Sequence, residues 1–171
     1  ENDLPAHKRW VLLSNWKDRT LMRNEVAFGL ADVFQQTFPN DGLAWNPSGQ
    51  FVELVYNGVH VGNYYLCEHI KIDGNRLDIT DPFDEKDGYS GTPEDYGYLL
   101  EADDGYDETW KFTTANYIPF LFKDDGNDEM LSYVAGLVRG VEDKLYAGNY
   151  SAAYEQLDIT SLVDYWLIQE V

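Results

Sequence analysis

A β-hairpin centred on Asn57-Gly58 is the sequence feature that most constrains how this chain can fold. Phe51 to Tyr56 alternates apolar and polar side chains as a strand does, and residues 59–70 return as a longer strand. Asn-Gly is the favoured pair for a two-residue turn in which both residues adopt positive φ. Gly62, inside the return strand, indicates a bulge. The sequence therefore predicts an antiparallel sheet built around this hairpin.

The spacing of apolar residues predicts the other elements. A strand over Trp10 to Leu13 precedes a helix over residues 21–36, for which Asp18 or Thr20 is the expected N-cap. Further strands are predicted at 76–80, 98–102, 110–114 and 117–122, and further helices at 128–146, 151–157 and 161–171. Pro119 is expected to place its strand at a sheet edge. This order predicts an α+β fold, with a strand-rich N-terminal part followed by C-terminal helices.

Composition and charge exclude several classes of function. The 171 residues contain 31 acids and 12 bases, for a formal net charge of −19, and phosphate-backbone binding needs clustered Lys and Arg. We therefore expect no nucleic-acid partner, and binding to a membrane surface is disfavoured for the same reason. No segment reaches the roughly 18 apolar residues of a membrane-spanning helix. The apolar content, 44%, is enough for one core, so a single domain over residues 1–171 is expected.

The basic residues are concentrated near the start of the chain. The first group comprises Lys8, Arg9, Lys17, Arg19 and Arg23, and the next base is Lys71. An anion site is therefore expected near the start rather than in the middle. The acid-rich segment 81–108 is open to three interpretations: a solvated edge, a surface for divalent cations, or a docking face for basic partners.

Cysteine and histidine give little support for a metal centre or a nucleophile. Cys67 is the only cysteine, so an internal disulfide is impossible, and it is expected to be buried. His7, His60 and His69 lie far apart and have no metal-ligand spacing. No catalytic or metal-binding residue is predicted from these positions.

Acidic residues give several weak alternatives. Residues 103–107 (DDGYD) and 124–128 (DDGND) resemble calcium loops but lack the EF-hand frame, so solvated turns are favoured and calcium is left open. A carboxylate pair for glycoside hydrolysis could be chosen from Glu53, Glu68 and Glu101, but among so many acids the choice has little weight.

Three polar residues occupy positions where the local pattern does not require them. Arg23 and Asn24 lie in the first turns of the first helix, and Glu68 interrupts the apolar run YYLCEHI. A buried carboxylate needs a cation or backbone donors, and Arg23 is the expected partner of Glu68. The pair is either purely structural, or it also positions a phosphate or a metal.

Five blocks of the sequence together resemble the CotH kinase-like family. They are WVLLSNWKDRTLMRNEVAFGLAD (10–32), FVELVYNGVHVGNYYLCEHIKID (51–73), GYLLEAD (97–103), FLFKDDGND (120–128) and LDITSLVDYWLIQEV (157–171). The first two blocks are the more specific, and the order and spacing of all five fit.

The resemblance implies an atypical protein kinase that phosphorylates spore-coat proteins, in a family that also includes secreted and surface proteins of bacteria and fungal invasin-like proteins. An extracytoplasmic location, ATP with Mg²⁺ or Mn²⁺, and a protein substrate are implied for the parent protein. Residues 21–36 would be the regulatory helix, and the hairpin would lead into the hinge. Arg23, Asn24 and Glu68 match polar positions of the family blocks and are the expected cofactor-binding residues.

The chain also departs from the family pattern. A Lys-Lys-Pro-Tyr-like strand region before the tryptophan block, and the catalytic and metal-binding segments after the last helix, are not among residues 1–171. We therefore expect a piece of a kinase domain, with 1–80 resembling the N-lobe and 81–171 starting the helical lobe, which is inactive and needs no cofactor by itself. A non-catalytic scaffold or binding module of a secreted or cell-surface protein is the alternative. The oligomeric state is left open.

Overall fold

A computed structural model describes residues 4–83, 91–105 and 107–170. These residues form two compact units, one made of residues up to Ile70 together with those from Asp158 onward, and the other of Lys71–Leu157. Within the described residues there are two three-stranded antiparallel sheets and four α-helices, so the predicted α+β class is confirmed. The single domain and the division at residue 80 stay predictions.

The first unit contains the hairpin that the sequence predicts. Its strands are β1 (Trp10–Leu13), β2 (Gly49–Tyr56) and β3 (Val59–Glu68), in the order β1-β3-β2. Strand β3 is central and pairs antiparallel with both neighbours. A register shift between Leu54 and Val55, opposite Gly62, confirms the predicted bulge.

Helix α1 (Arg23–Thr37) connects β1 to β2 and packs on the sheet through Tyr65. The Tyr65 ring is 1% exposed, and its centroid lies 6.0 Å from that of Phe28 on the helix and 5.1 Å from that of Phe51 on β2. Burial, together with the hydrogen bond that its hydroxyl donates to Glu25, raises the pKa of Tyr65 above its usual value. Tyr65 therefore fixes the start of α1 relative to the sheet.

Helix α4 (Ile159–Gln169) also belongs to the first unit and packs against α1. Asp158 is its N-cap, and its carboxylate accepts hydrogen bonds from Ser161, so the helix begins at Ile159 rather than at the predicted residue 161. Asp164 is buried and accepts a hydrogen bond from the backbone N–H of Leu43 at 3.3 Å. Much of the apolar surface of α4 is exposed, at Leu162, Val163, Tyr165, Trp166 and Leu167.

Gly42 is required where the chain from α1 approaches α4. Its φ is +93°, and a Cβ at this position would overlap the Asp164 carboxylate. Gly42→Ala should therefore lower the free energy of unfolding by about 1–3 kcal/mol, measured by urea titration. Gly29→Ala is the matched control, because a Cβ there meets nothing within 4 Å and alanine favours a helix. A Gly42→Ala protein as stable as the wild type would contradict the described approach.

The second unit combines a small sheet with two helices. It comprises β4 (Leu100–Glu101), β5 (Lys111–Thr113), β6 (Pro119–Phe122), α2 (Asp128–Tyr146), α3 (Tyr150–Tyr154) and a 3₁₀ turn at Pro93–Asp95. The sheet packs on α2 through a core of Phe112, Phe122, Met130, Val134 and Ala135. Residues 84–90 and 106 of the acid-rich segment lie outside the described residues.

Two strand predictions in this unit are wrong. Residues 76–80 form no strand, and a single bridge joins Ile72 to Leu77. Strand β6 is central, in the order β4-β6-β5, although Pro119 was expected to place it at an edge. Pro119 is tolerated because it is the first residue of β6, and β4 pairs only with Leu121 and Phe122.

None of the α-helices in the described ranges is both long enough and apolar enough to cross a membrane.

Candidate functional site

The loop between β1 and α1, residues 14–22, is tied together by its own polar groups. The backbone N–H of Asp18 donates to the Asn15 carbonyl at 2.9 Å, and that of Leu21 donates to the Asp18 carbonyl at 3.0 Å. The Asn15 amide donates to the Leu21 carbonyl at 3.2 Å and accepts from the Asn24 amide at 2.8 Å. Asn15 and Leu21 both have positive φ, 50° and 62°. The β1–α1 loop is thus a compact unit attached to the first turn of the helix.

Asp18 caps this helix from within the loop. One carboxylate oxygen accepts from the backbone N–H of Arg23 at 2.9 Å, and the other accepts from the N–H and hydroxyl of Thr20 at 2.9 and 2.8 Å. The positional N-cap is Met22, which has no side-chain acceptor, so Asp18, one of the two predicted caps, supplies the capping bond from within the loop before the helix. The hydrogen bond from the Arg23 N–H is the main cause that lowers the pKa of Asp18.

Three cationic side chains line an open depression beside this cap. Lys17, Arg19 and Arg23, together with Trp16 and Asn24, lie around a volume of about 650 Å³. The Arg23 side chain is 77% exposed, and its Nε lies 3.9 Å from an Asp18 oxygen. The Lys17 ammonium lies 5.6 Å from the centroid of the Trp16 ring, which is itself exposed. The cationic surface is therefore in the region where the sequence predicts an anion site.

Glu68 does not meet Arg23, so the predicted ion pair between them is wrong. Glu68 is 3% exposed, and one of its carboxylate oxygens accepts the backbone N–H of Ser48 at 2.8 Å. Glu68 pairs with Trp10 at the start of β1, whereas Asn24 is bound to Asn15, beyond the end of that strand. At about 3.3 Å per residue, Trp10 and Asn15 are roughly 16 Å apart along the chain.

The three predicted site residues therefore divide into two groups. Arg23 and Asn24 belong to the β1–α1 loop region, where their side chains face the depression or support the loop. Glu68 instead secures the entry to β2, because its carboxylate and backbone N–H both bond Ser48. The buried Glu68 carboxylate thus accepts a hydrogen bond from the backbone N–H of Ser48, just before β2 begins.

The described residues do not assemble a cluster of three or more His, Cys, Asp or Glu side chains that could hold a metal ion. Within segment 124–128, where a solvated turn is favoured and calcium is left open, Asp125 accepts from Trp110 Nε1 and from the N–H of Gly126, and Asn127 caps α2. Both side chains thus have structural functions. The loop 103–107 includes residue 106, which lies outside the described residues.

Asp18→Asn tests the cap through its pH dependence. The pKa of Asp18 is lower in the folded protein than its usual value of 3.8. Its carboxylate therefore stabilises the fold when the pH is above 3.8, and this contribution is lost as the pH falls through the lowered pKa. The melting temperature of Asp18→Asn should be below that of the wild type at neutral pH, and the gap should close in acid. The exposed Asp41→Asn is the control. A gap that stays constant between pH 7 and pH 2 would contradict the assignment.

Two contributors to this site were not predicted from the sequence. The sequence does not single out Asn15, because its bonds to Leu21 and Asn24 depend on a positive φ that Asn tolerates. Trp16 was not assigned a function, although an exposed aromatic residue next to a cation is a signal of a binding surface.

A search of curated proteins found no match. A search of solved structures found none either. The model of the family described as CotH kinase protein matches residues 1–171, and this chain therefore belongs to the CotH kinase family.

Proposed function

We propose that this chain forms part of a CotH-type atypical protein kinase domain, and that its β1–α1 loop faces the phosphate groups of ATP. In the parent protein, the domain would transfer the γ-phosphoryl group to Ser or Thr side chains of a protein. The observation that carries the proposal is the cationic surface formed by Lys17 and Arg19 on an internally bonded loop and by Arg23 at the start of α1, within a chain of net charge −19. Exposed cations on an ordered loop are suited to bind a polyanion.

The topology of the first unit supports this proposal. Helix α1 lies between β1 and β2 in sequence, and the hairpin strand β3 is central in the order β1-β3-β2. In the kinase layout, a helix in this position is regulatory, and the strands that follow lead to the hinge. The β1–α1 loop would then be the approach to the regulatory helix.

The residues of the loop fit a phosphate group but not a metal site. Arg19 and Arg23 can donate paired hydrogen bonds to phosphate oxygens, and Lys17 adds a positive charge. Asp18 already accepts the first N–H of α1, so the side chains rather than the helix end would hold the anion. Mg²⁺ or Mn²⁺ neutralises phosphate charge in kinases, and the described residues bring no acidic cluster to hold it. Direct contact between Glu68 and the nucleotide stays a prediction.

Nucleotide-induced stabilisation tests the proposal. A ligand that binds only the folded state stabilises it by about 2.7 kcal/mol when present at a hundred times its dissociation constant. Millimolar ATP with Mg²⁺ should therefore raise the melting temperature, and sodium sulfate at the same ionic strength should raise it less. No shift with ATP would reject the nucleotide site and favour the scaffold function instead.

Phosphate transfer by the 171-residue chain itself is a separate question. We expect no transfer by this chain alone, because the family resemblance implies that the catalytic and metal-binding acids are not among the blocks present here. Incubation with labelled ATP, Mg²⁺ and casein should give no labelled product, and autophosphorylation would refute this expectation.

The parent protein is proposed to act outside the cytoplasm, in a spore coat, at a cell surface or as a secreted protein.

A further inference from the structure

Strand β2 is the outer strand of the sheet in the first unit, and its free edge is poorly protected. It has eight residues, and its only charged residue is Glu53. Natural proteins guard such edges with charges, prolines or bulges, because unpaired backbone groups recruit other strands. The register shift after Leu54, where β3 carries one extra residue, ends the regular pairing at the far end of β2, which leaves residues 49–53 as a regular edge.

The register of the hairpin identifies the backbone groups that point outward. The backbone N–H of Glu68 donates to the Ser48 carbonyl, so these two residues form a hydrogen-bonded pair. Bonded and non-bonded pairs alternate along an antiparallel ladder. Gly49, Phe51 and Glu53 therefore direct their N–H and C=O groups away from β3, and the described residues supply no backbone partner to them.

The Glu53 carboxylate is held on the sheet face rather than over this edge. It lies 2.6 Å from His60 Nε2 and accepts the Asn63 amide at 3.2 Å, both across the hairpin. The hydrogen bond with His60 is the main cause that lowers the pKa of Glu53. The one charge on the strand thus has local partners and does not block the approach of another strand.

We propose that two copies of this chain pair antiparallel through the β2 edge, around a two-fold axis at Phe51. In this register the outward backbone N–H and C=O groups of one copy meet those of the other. It also places Glu53 opposite Gly49 of the second copy. A register centred on Glu53 would instead set two carboxylates opposite each other, which is destabilising. Phe51 is 40% exposed and would meet its counterpart, giving one continuous sheet of six strands.

The proposed interface is small, and the two copies carry the same net charge. Pairing over residues 49–53 buries less than the roughly 1,200 Å² of a standard interface, so the dimer is weak. Two chains of net charge −19 repel each other at long range, and salt screens that repulsion. The dimer is therefore expected at about 100 µM protein and above, and its fraction should increase with NaCl concentration.

Glu53→Pro tests this interface, because it removes an outward N–H without removing a β2–β3 ladder bond. Sedimentation equilibrium should show a concentration-dependent dimer for the wild type and for the control Glu53→Gln, and at least a tenfold weaker dimer for Glu53→Pro. A wild-type chain that stays monomeric at about 500 µM in high salt would overturn the proposal. So would a dimer that Glu53→Pro leaves unchanged.

Amide exchange in the unmodified chain provides a readout that does not depend on how the proline variant folds. Exchange at the Phe51 and Glu53 amides should slow as the protein concentration rises, while exchange at the exposed turn residue Gly58 should not change. Equal rates for Phe51 and Glu53 at low and high concentration would overturn the proposal. Neither test involves a nucleotide, so the dimer stands or falls independently of the kinase function.

Discussion

Tyr65→Ala is expected to lower the free energy of unfolding by about 3–5 kcal/mol, the cost typical of removing a buried aromatic ring. Tyr65 is 1% exposed and is packed between Phe28 of α1 and Phe51 of β2. The variant leaves a cavity between helix and sheet, and it also leaves Glu25 without the tyrosine hydroxyl. Urea titration followed by tryptophan fluorescence measures the change.

Two matched variants distinguish the stability contributed by the buried ring from that of its hydroxyl and from the effect of removing an exposed tyrosine. Tyr65→Phe keeps the ring and loses only the bond to Glu25, so it should cost about 0.5–1.5 kcal/mol. Tyr56→Ala removes an exposed tyrosine from the same hairpin and should change stability by no more than about 0.5 kcal/mol. Equal costs for Tyr65→Ala and Tyr56→Ala would show that α1 does not dock through Tyr65.

Arg23→Gln is expected to weaken ATP binding about tenfold, and loss of Lys17, Arg19 and Arg23 together should abolish measurable binding. A hydrogen bond to a charged group contributes about 1.5–3 kcal/mol, and 1.4 kcal/mol corresponds to a factor of ten in affinity. The backbone N–H of Arg23, which Asp18 accepts, is retained in the glutamine variant, so the helix start should persist. Isothermal titration with ATP and Mg²⁺ measures the affinity.

Lys8→Ala is the control for this experiment. Lys8 is an exposed cation that precedes β1, and it does not line the depression. Its loss changes the net charge by the same amount as Arg23→Gln. If Lys8→Ala and Arg23→Gln weaken ATP binding equally, the effect comes from general charge, and the β1–α1 loop is not the site.

Local chemistry explains why the hairpin was predicted correctly. Asn57-Gly58 supplies both positive-φ residues of the turn, and the flanking strands alternate, so no distant residue is needed to specify the pairing. The long helix α2 was predicted with its bounds for a similar reason, because its apolar stripe, the Asn127 cap and Gly148 at positive φ are all local signals.

The wrong predictions involve features that depend on tertiary context. Pro119 indicates an edge only if its neighbour strand extends past it, and the short β4 does not. Asp18 caps α1 as one of the two predicted residues, but α1 begins at Arg23 rather than at residue 21. The cap acts across a tight turn in which Asn15 and Leu21 have positive φ, and a positive φ at Leu21 has no sequence signal.

The predicted pairing of Arg23 with Glu68 failed because of strand register. The sequence shows that both residues are polar where the local pattern does not require it, but it does not show which end of β1 lies beside Glu68. Pairing of Glu68 with Trp10 places it at the start of β1, away from the loop that follows this strand. The cationic character of the start of the chain was readable from sequence, and its arrangement around Asp18 was not.

Amide exchange with and without ATP and Mg²⁺ is the most direct test of whether the β1–α1 loop faces the nucleotide. The Asp18 and Leu21 amides, which close the loop, and the first turn of α1 should exchange more slowly with ATP, whereas the turn at Asn57-Gly58 should be unaffected. Slower exchange elsewhere in the chain, with the rates of residues 14–24 unchanged, would contradict the account.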